Sequence, residues 1–393
     1  MMTHHTLPEP DTEATRHSAR LAELIRNEIL AHGPIPFSRY MELCLYAPGL
    51  GYYSAGARKF GAEGDFVTSP ELGSVFATAV ADAVTPVLSQ LGPDAVFFEL
   101  GGGSGAFAEA ALRRFAERDA LPGSYALLEP SADLRERQQA RLQQLPEHLY
   151  RRVRWLDGPI QHDWHGVLFA NEVIDALPTP RFVIRGGEVH EEHVALDDDA
   201  RLTSTSRMAD ALLSAAVRHL ERALGRPFGE GYRSEVLPQL PYWIQAVAGG
   251  LRRGAMLFVD YGYPRSEFYL PERDQGTLVC HYRHRAHGDP FFMPGLQDVT
   301  AFVDFTALAE AGVGAGFDFS GYCSQASFLI GNGLAGQLTA MQTLSEADHY
   351  QRALEVKRLT LPGEMGERFQ AIGFERDVDF SPAFALGDLS HRL

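Results

Sequence analysis

Apolar residues along this chain of 393 residues recur with two different periods, and the switches between them predict its elements. After a polar start, Leu21, Leu24, Ile25 and Ile29 fall three and four apart, which predicts a helix over Arg20–Ala31 ended by His32-Gly33-Pro34. From Pro34 to Glu71 the chain is rich in Gly, Pro and Tyr with little periodicity, so an irregular segment is expected, ordered by its aromatic side chains. A helix is predicted through Phe76–Val87. Short apolar runs then recur at Ala95–Leu100, Tyr125–Glu129, Val153–Leu156, Val167–Ala170 and Ala255–Val259. Amphipathic patterns over Ala106–Arg118 and Ser131–Gln144 separate the first three. Buried runs alternating with such helices read as βαβ units. The expected fold is therefore α/β, a mostly parallel sheet with helices on both faces.

Arg181–Val194 differs. Two apolar runs flank Arg185-Gly186-Gly187-Glu188, which predicts a β-hairpin. Helical patterns at Met208–Leu224 and Tyr242–Leu251 complete an insertion before the fifth core strand. Beyond Gly262 the pattern predicts a loop, a helix at Val303–Glu310, a strand near Phe317–Tyr322 and helices within Leu334–Leu359. The expected division is an N-terminal cap (1–90), a first part of the core (91–177), the hairpin and helical insertion (178–250) and a second part of the core (251–393).

Composition narrows the function. Apolar residues at 45% and charged residues at 22% can bury a large core, which excludes collagen-like and disordered classes. Acidic residues outnumber basic ones 51 to 35, giving −16. This argues against a general nucleic-acid binder and suits a cationic partner. Cys44, Cys280 and Cys323 lack the spacing of a disulfide framework or zinc site and fit a reducing compartment. No apolar run is long enough to insert in a membrane, and Met1–Arg20 resembles neither a secretory nor a transit signal, so a cytoplasmic protein is expected.

The sharpest local signal is Val96-Phe97-Phe98-Glu99-Leu100-Gly101-Gly102-Gly103-Ser104-Gly105, a buried strand running through glycines into a helix. Glycines allow close approach of backbone to a ligand and aim N–H groups at it. Glu129 closes the next strand, where an acid accepts hydrogen bonds from ribose hydroxyls. Gly101, Gly103 and Ala106 satisfy a dinucleotide pattern. Gly101, Gly103 and Gly105 behind Glu99 equally satisfy an S-adenosylmethionine pattern. An esterase elbow and a P-loop both fail, the first for want of a glycine at 106 and the second for want of a lysine after the glycines.

The fourth run separates the two. It delivers Asn171-Glu172 and then Val173-Ile174-Asp175-Ala176-Leu177-Pro178, an amide and two carboxylates just past a carboxyl end of the sheet. Hydride transfer from a nicotinamide gains little from acids there. Methyl transfer to nitrogen gains an oriented nucleophile and a partner for its charge or proton. The bland reading makes Asn171 and Glu172 a helix cap. Asp157, after the third strand, is a candidate acceptor for an adenine amino group or a plain helix-starting acid. His190-Glu191-Glu192-His193 has the wrong spacing and element for a zinc helix, and His281, His284 and His287 read as a solvated loop, so no metal is expected. Tyr40, Tyr46, Tyr52 and Tyr53 are either packing aromatics or the lining of a cation pocket.

Ordered landmarks over roughly residues 34 to 375 resemble the MidA-type methyltransferases, a family that includes a mitochondrial complex I assembly factor methylating a protein arginine. They include Pro36-Phe37, Gly51-Tyr52-Tyr53, Gly64-Asp65-Phe66-Val67-Thr68-Ser69-Pro70-Glu71, Glu99-Leu100-Gly101, Glu129-Pro130-Ser131 with Gln138, Asn171-Glu172 with Asp175-Ala176-Leu177-Pro178, Asp260-Tyr261-Gly262-Tyr263, Asp298-Val299-Thr300, Gln325 and Met365-Gly366. The cofactor turn departs from the family pattern by carrying Gly102 for proline and Ser104 for arginine. The resemblance implies a class I, Rossmann-like methyltransferase using S-adenosylmethionine and acting on a protein acceptor, by analogy a respiratory-complex subunit. It also implies that Thr68, Ser69 and Pro70 lie by the cofactor, and that Asp65 and Glu71 are further acids near the acceptor. The rival expectations are a nicotinamide-dependent oxidoreductase and a non-catalytic assembly factor that keeps the fold.

Overall fold

A computed structural model describes residues 7–55 and 68–393, which form two units of chain contact. The larger unit comprises Val67–Ile174, Gln239–Pro264 and Val303–Leu393. Its sheet is built from β1 (Val96–Leu100), β2 (Ser124–Leu128), β3 (Val153–Leu156), β4 (Trp164–Asn171), β5 (Leu251–Tyr263), β6 (Asp318–Ser324) and β7 (Phe369–Arg376), in the spatial order β6-β7-β5-β4-β1-β2-β3. The five strands from β3 to β5 are mutually parallel, and β7 runs antiparallel to both its neighbours. A two-residue strand, Val303–Asp304, adds to the end of β5.

Strands buried on both faces carry near-continuous apolar sequence, as β1 and β4 do. One face is covered by the helices Val75–Leu91 and Ala106–Glu117, whose buried residues include Phe76, Val80, Val84, Phe107 and Phe115. Phe107 stacks on Phe169 of β4 with ring centroids 4.4 Å apart, and Phe97 packs beside both. Each such fully buried ring contributes about 1.5–3 kcal/mol relative to an exposed one. The chain lays β1, β2 and β3 outward in one direction, then returns so that β4 lies on the other side of β1. This reversal leaves a crevice at the carboxyl ends of β1 and β4, the place where open α/β sheets hold ligands.

The second unit comprises Met1–Phe66, Asp175–Pro238 and Arg265–Phe302. It contains an antiparallel sheet of Ile35–Pro36, Glu188–Leu196, Arg181–Arg185 and Arg233–Glu235, with Leu202–Met208 also paired to Glu188–Leu196. The helices Thr12–His32 and Phe37–Tyr46 bury Leu21, Ile25, Phe37, Tyr40 and Leu45 in a common apolar cluster. Arg181, nearly buried, spans Glu235 at 2.8 Å and Glu192 at 2.9 Å, so its charge is paired on both sides.

Several expectations need correction. The stretch read as irregular holds the helix Phe37–Tyr46, whose stripe Phe37, Tyr40, Met41, Cys44 and Leu45 was obscured by flanking Pro and Gly. Leu202–Met208 is a strand, so the following helix begins only at Ala211, capped by Asp210. The loop expected after Gly262 contains a three-stranded sheet of Val279–Tyr282, Arg285–His287 and Asp298–Thr300, placing His281 and His287 on strands. Strand β7 was not expected at all. The hairpin turns at Gly186-Gly187 as predicted.

Candidate active site

The turn after β1 takes left-handed backbone at Gly101, Gly103 and Gly105, with φ of 65°, 52° and 82°. At Gly103 a Cβ would meet no atom of the described residues within 4 Å, so that side of the turn is not packed against them. Gly101 N–H donates to the Leu128 carbonyl at 3.0 Å, which ties the turn to the end of β2.

Glu99, on β1 just before the turn, is 3% exposed and accepts from the Tyr125 hydroxyl at 2.7 Å. Burial pushes its carboxyl up to about 8. Glu129, the residue after β2, is also buried. Its two carboxylate oxygens accept from Ser131 N–H at 3.0 Å and from the Gln138 side-chain amide at 3.2 Å. Asp157 lies farther out, with a side chain 91% exposed and paired to Arg135 at 2.6 Å.

Three segments meet beyond β1 and β4. Glu172 follows β4 with left-handed backbone, φ 53°, a conformation that costs a non-glycine residue roughly 1–2 kcal/mol. Such strain persists where the surrounding structure imposes it, and it clusters at functional sites. One Glu172 oxygen accepts from the Asn171 side-chain amide at 2.9 Å and from Ser69 N–H at 3.3 Å. Asn171 Oδ1 is buried and has no hydrogen-bond partner among the described residues. Ser69 opens the short helix Ser69–Leu72, preceded by Thr68 and with Pro70 in its first turn. Glu71 of that helix accepts from the Ser104 hydroxyl of the glycine turn. Thr68, Ser69, Pro70, Glu71, Gly101, Gly103, Gly105, Asn171 and Glu172 are thus gathered at one end of the sheet. Asp65 lies outside the described residues.

Some participants carried no predicted role. Gln138, Tyr125, Ser104 and Gln325 all bond to site residues or to their immediate supports. Gln138 gave a signal: it is a glutamine between Leu134 and Leu142 on the buried stripe of its helix. In the second unit, Tyr40 and Tyr46 donate to the Pro290 and Ala176 carbonyls. Tyr46 stacks on Tyr53, and Tyr52 packs edge-on against Tyr53. His281 is mostly buried, and burial pushes its imidazole down to about 4.

A sheet with this strand order, a glycine turn after β1 and a buried acid after β2 defines the class I methyltransferase fold. Residues 79–323 match a family of S-adenosyl-L-methionine-dependent methyltransferases, and the chain belongs to that family. Over its whole length it is similar to a COG1565 superfamily member of Burkholderia thailandensis crystallised with S-adenosyl-homocysteine. The two share 41% identity with a TM-score of 0.91, covering 99% of this chain and 100% of that one. It is also similar to mitochondrial proteins named protein arginine methyltransferase NDUFAF7. The Drosophila melanogaster homolog is 28% identical, covering 92% of this chain and 86% of its own length. The Homo sapiens protein is 28% identical, covering 87% and 80%. The protein is an S-adenosylmethionine-dependent methyltransferase, and neither rival expectation is favoured. The residues fit that cofactor: among the described residues the turn is open at Gly103, two buried carboxylates stand at the ends of adjacent strands, and Asn171 Oδ1 is an acceptor without a partner.

Proposed function

We propose that this methyltransferase modifies an arginine nitrogen on a protein acceptor, with Glu172 as the carboxylate that orients the guanidinium. The observation that carries the reading is the fixed Glu172 side chain: a strained left-handed residue, at the carboxyl end of β4, with one oxygen held by Asn171 and Ser69. The relatives named protein arginine methyltransferases support the choice of acceptor, and the formal charge of −16 suits a cationic one. By the same likeness to mitochondrial relatives, a respiratory-complex subunit is the acceptor to test first. The three buried, free cysteines suit a reducing compartment, for which we propose the cytoplasm.

When bound, S-adenosylmethionine supplies a methyl group on a sulfonium centre for in-line displacement by the acceptor nitrogen. Glu129 accepts from the ribose hydroxyls, Glu99 meets the amino group, and Gly101, Gly103 and Gly105 admit the methionine portion against the backbone. Asp157, at the rim, is left to the adenine edge. Glu172 pairs with the guanidinium, aligns one nitrogen and takes up the proton that this nitrogen loses as its bond to carbon forms. Asn171 holds Glu172 in that orientation, Glu71 supplies further negative charge along the acceptor's approach, and Asp65 is a further candidate acid. Positioned charge of this kind acts mainly in the transition state.

Glu172→Gln keeps size and most hydrogen bonding. It should bind S-adenosylhomocysteine within a few-fold of wild type while methyl transfer falls on the order of 10²-fold. Calorimetry and labelling of a cell lysate with isotopic cofactor measure the two. Wild-type labelling would remove Glu172 from the chemistry. Lost cofactor affinity would move it to the cofactor shell.

A further inference from the structure

Gln138 stands out as a polar side chain where the sequence calls for an apolar one. The helix Ala132–Leu142 buries Leu134, Gln138 and Leu142 on one stripe, and Gln138 is fully buried. Its side chain makes three hydrogen bonds among the described residues. Nε2 donates to the Gly103 carbonyl at 3.0 Å and to Glu129 Oε2 at 3.2 Å, while Oε1 accepts from the Trp155 indole N–H at 3.0 Å. These partners fix which way the amide faces. An indole N–H only donates and a carbonyl or carboxylate only accepts, so the oxygen must face Trp155 and the nitrogen must face the other two.

We propose that Gln138 is a positioning residue for the cofactor's ribose: it sets the plane of the Glu129 carboxylate and, through the Gly103 carbonyl, the aim of the glycine turn. A vicinal diol is held by a carboxylate whose two oxygens lie in the plane of the two hydroxyls. Rotation about the last bond of Glu129 would spoil that match. Ser131 N–H holds one oxygen and Gln138 the other, so the plane is set before ligand arrives. At the turn, the carbonyl of a trans peptide points opposite to the following N–H. Drawing the Gly103 carbonyl toward Gln138 therefore aims the Ser104 N–H away from the helix. At Gly103 a Cβ would meet no atom of the described residues within 4 Å, so among them that side of the turn is open. One side chain thus couples the turn after β1 to the acid after β2. Trp155, at the end region of β3, fixes that side chain in turn.

The inference rests on the reading of Glu129 as the ribose acceptor, and the test separates the two. The probes are S-adenosylhomocysteine and its 2′,3′-dideoxy analogue, titrated calorimetrically into the full-length wild type, Gln138→Leu, Glu129→Ala and the double variant. Gln138→Leu continues the Leu134–Leu142 stripe, and Gln138→Met serves if that variant does not fold. Gln138→Leu should weaken S-adenosylhomocysteine on the order of tenfold or more, and the dideoxy analogue distinctly less, because much of the loss passes through the diol. In the Glu129→Ala background the further loss from Gln138→Leu should shrink severalfold. A folded Gln138 variant that weakens both probes equally, or leaves both unchanged, while Glu129→Ala discriminates between them, overturns the positioning role alone. Failure of Glu129→Ala to discriminate overturns the ribose reading and the positioning role with it. A merely structural Gln138 would change unfolding temperature without changing the ratio of the two affinities.

Discussion

Burial raises the Glu99 carboxyl from an ordinary 4.5 to about 8; the Tyr125 hydroxyl opposes the rise by donating to it, and the nearby negative charge of Glu129 adds to it. Around pH 7 the group is therefore largely protonated in protein without ligand. An ammonium brought against it favours the carboxylate, so binding should expel a proton. On this basis S-adenosylhomocysteine affinity should rise on the order of tenfold per pH unit from pH 6 to 7 and flatten above the carboxyl's own value. Titrations in buffers of different ionisation enthalpy would detect the released proton, and pH-independent affinity without proton exchange would place the ligand's amino group elsewhere. The stability linkage runs the opposite way with pH. A carboxyl raised in the folded state contributes stability that is complete below 4.5 and lost as pH rises to about 8. Unliganded protein should therefore become easier to unfold across that window, and ligand should flatten the trend. At this scale the sequence was most informative where chemistry is local. Glu99, the glycines, Glu129 and the Asn171-Glu172 pair each sit at the end of a recognisable apolar run. Asp157 was the weaker inference, because nothing in its neighbours distinguishes an exposed acid paired to Arg135 from one turned toward a ligand.

Elements here are completed by residues far away in the chain. The helix Val75–Leu91 has no side-chain cap from Ser74. Its first N–H donates instead to Glu355 Oε1 at 2.6 Å, from the helix Glu346–Thr360. Gly73 makes room for this, since a Cβ there would lie 2.2 Å from Glu355 Oε2. A buried, charge-assisted hydrogen bond at a helix start is worth about 1.5–3 kcal/mol. Glu355→Ala should lower unfolding free energy by about that amount in urea titration. A change below about 0.5 kcal/mol would mean that water replaces the cap. No reading of single-sequence pattern finds such a pair, because 280 positions separate its members. The same limit explains Gln138, whose burial is visible in the Leu134–Leu142 spacing but whose partners come from three other segments. Strand β7 escaped for a different reason: Phe369–Arg376 follows helical sequence without an alternating pattern, and it becomes a strand by pairing with β5 and β6. The parallel core strands and their helices were legible because each buries a short apolar run bounded by turn residues.

At the scale of the whole molecule, each unit is assembled from three separated stretches of chain. Pattern alone gave the α/β character and the interruption before β5, whereas the grouping of 7–55 with the hairpin depends on contacts that no local period encodes. The arrangement has a consequence in time. β4 pairs with β1 on one side and β5 on the other, yet β5 begins at Leu251, after the whole Asp175–Pro238 stretch has been made. As the chain leaves the ribosome, the strand that carries Asn171 must wait with an apolar, unpaired edge while some eighty residues are synthesised. Edges of this kind are where nascent chains aggregate or engage chaperones. A chain ended after Pro238 contains the glycine turn, Glu129 and Glu172, and it should nevertheless be recovered as aggregate under conditions that keep the full chain in solution. A soluble, monomeric product of that length, measured by size-exclusion chromatography, would show that the β1–β4 half stands without its neighbour. Otherwise the order of synthesis, more than the final contacts, sets how much working enzyme a cell obtains from each message.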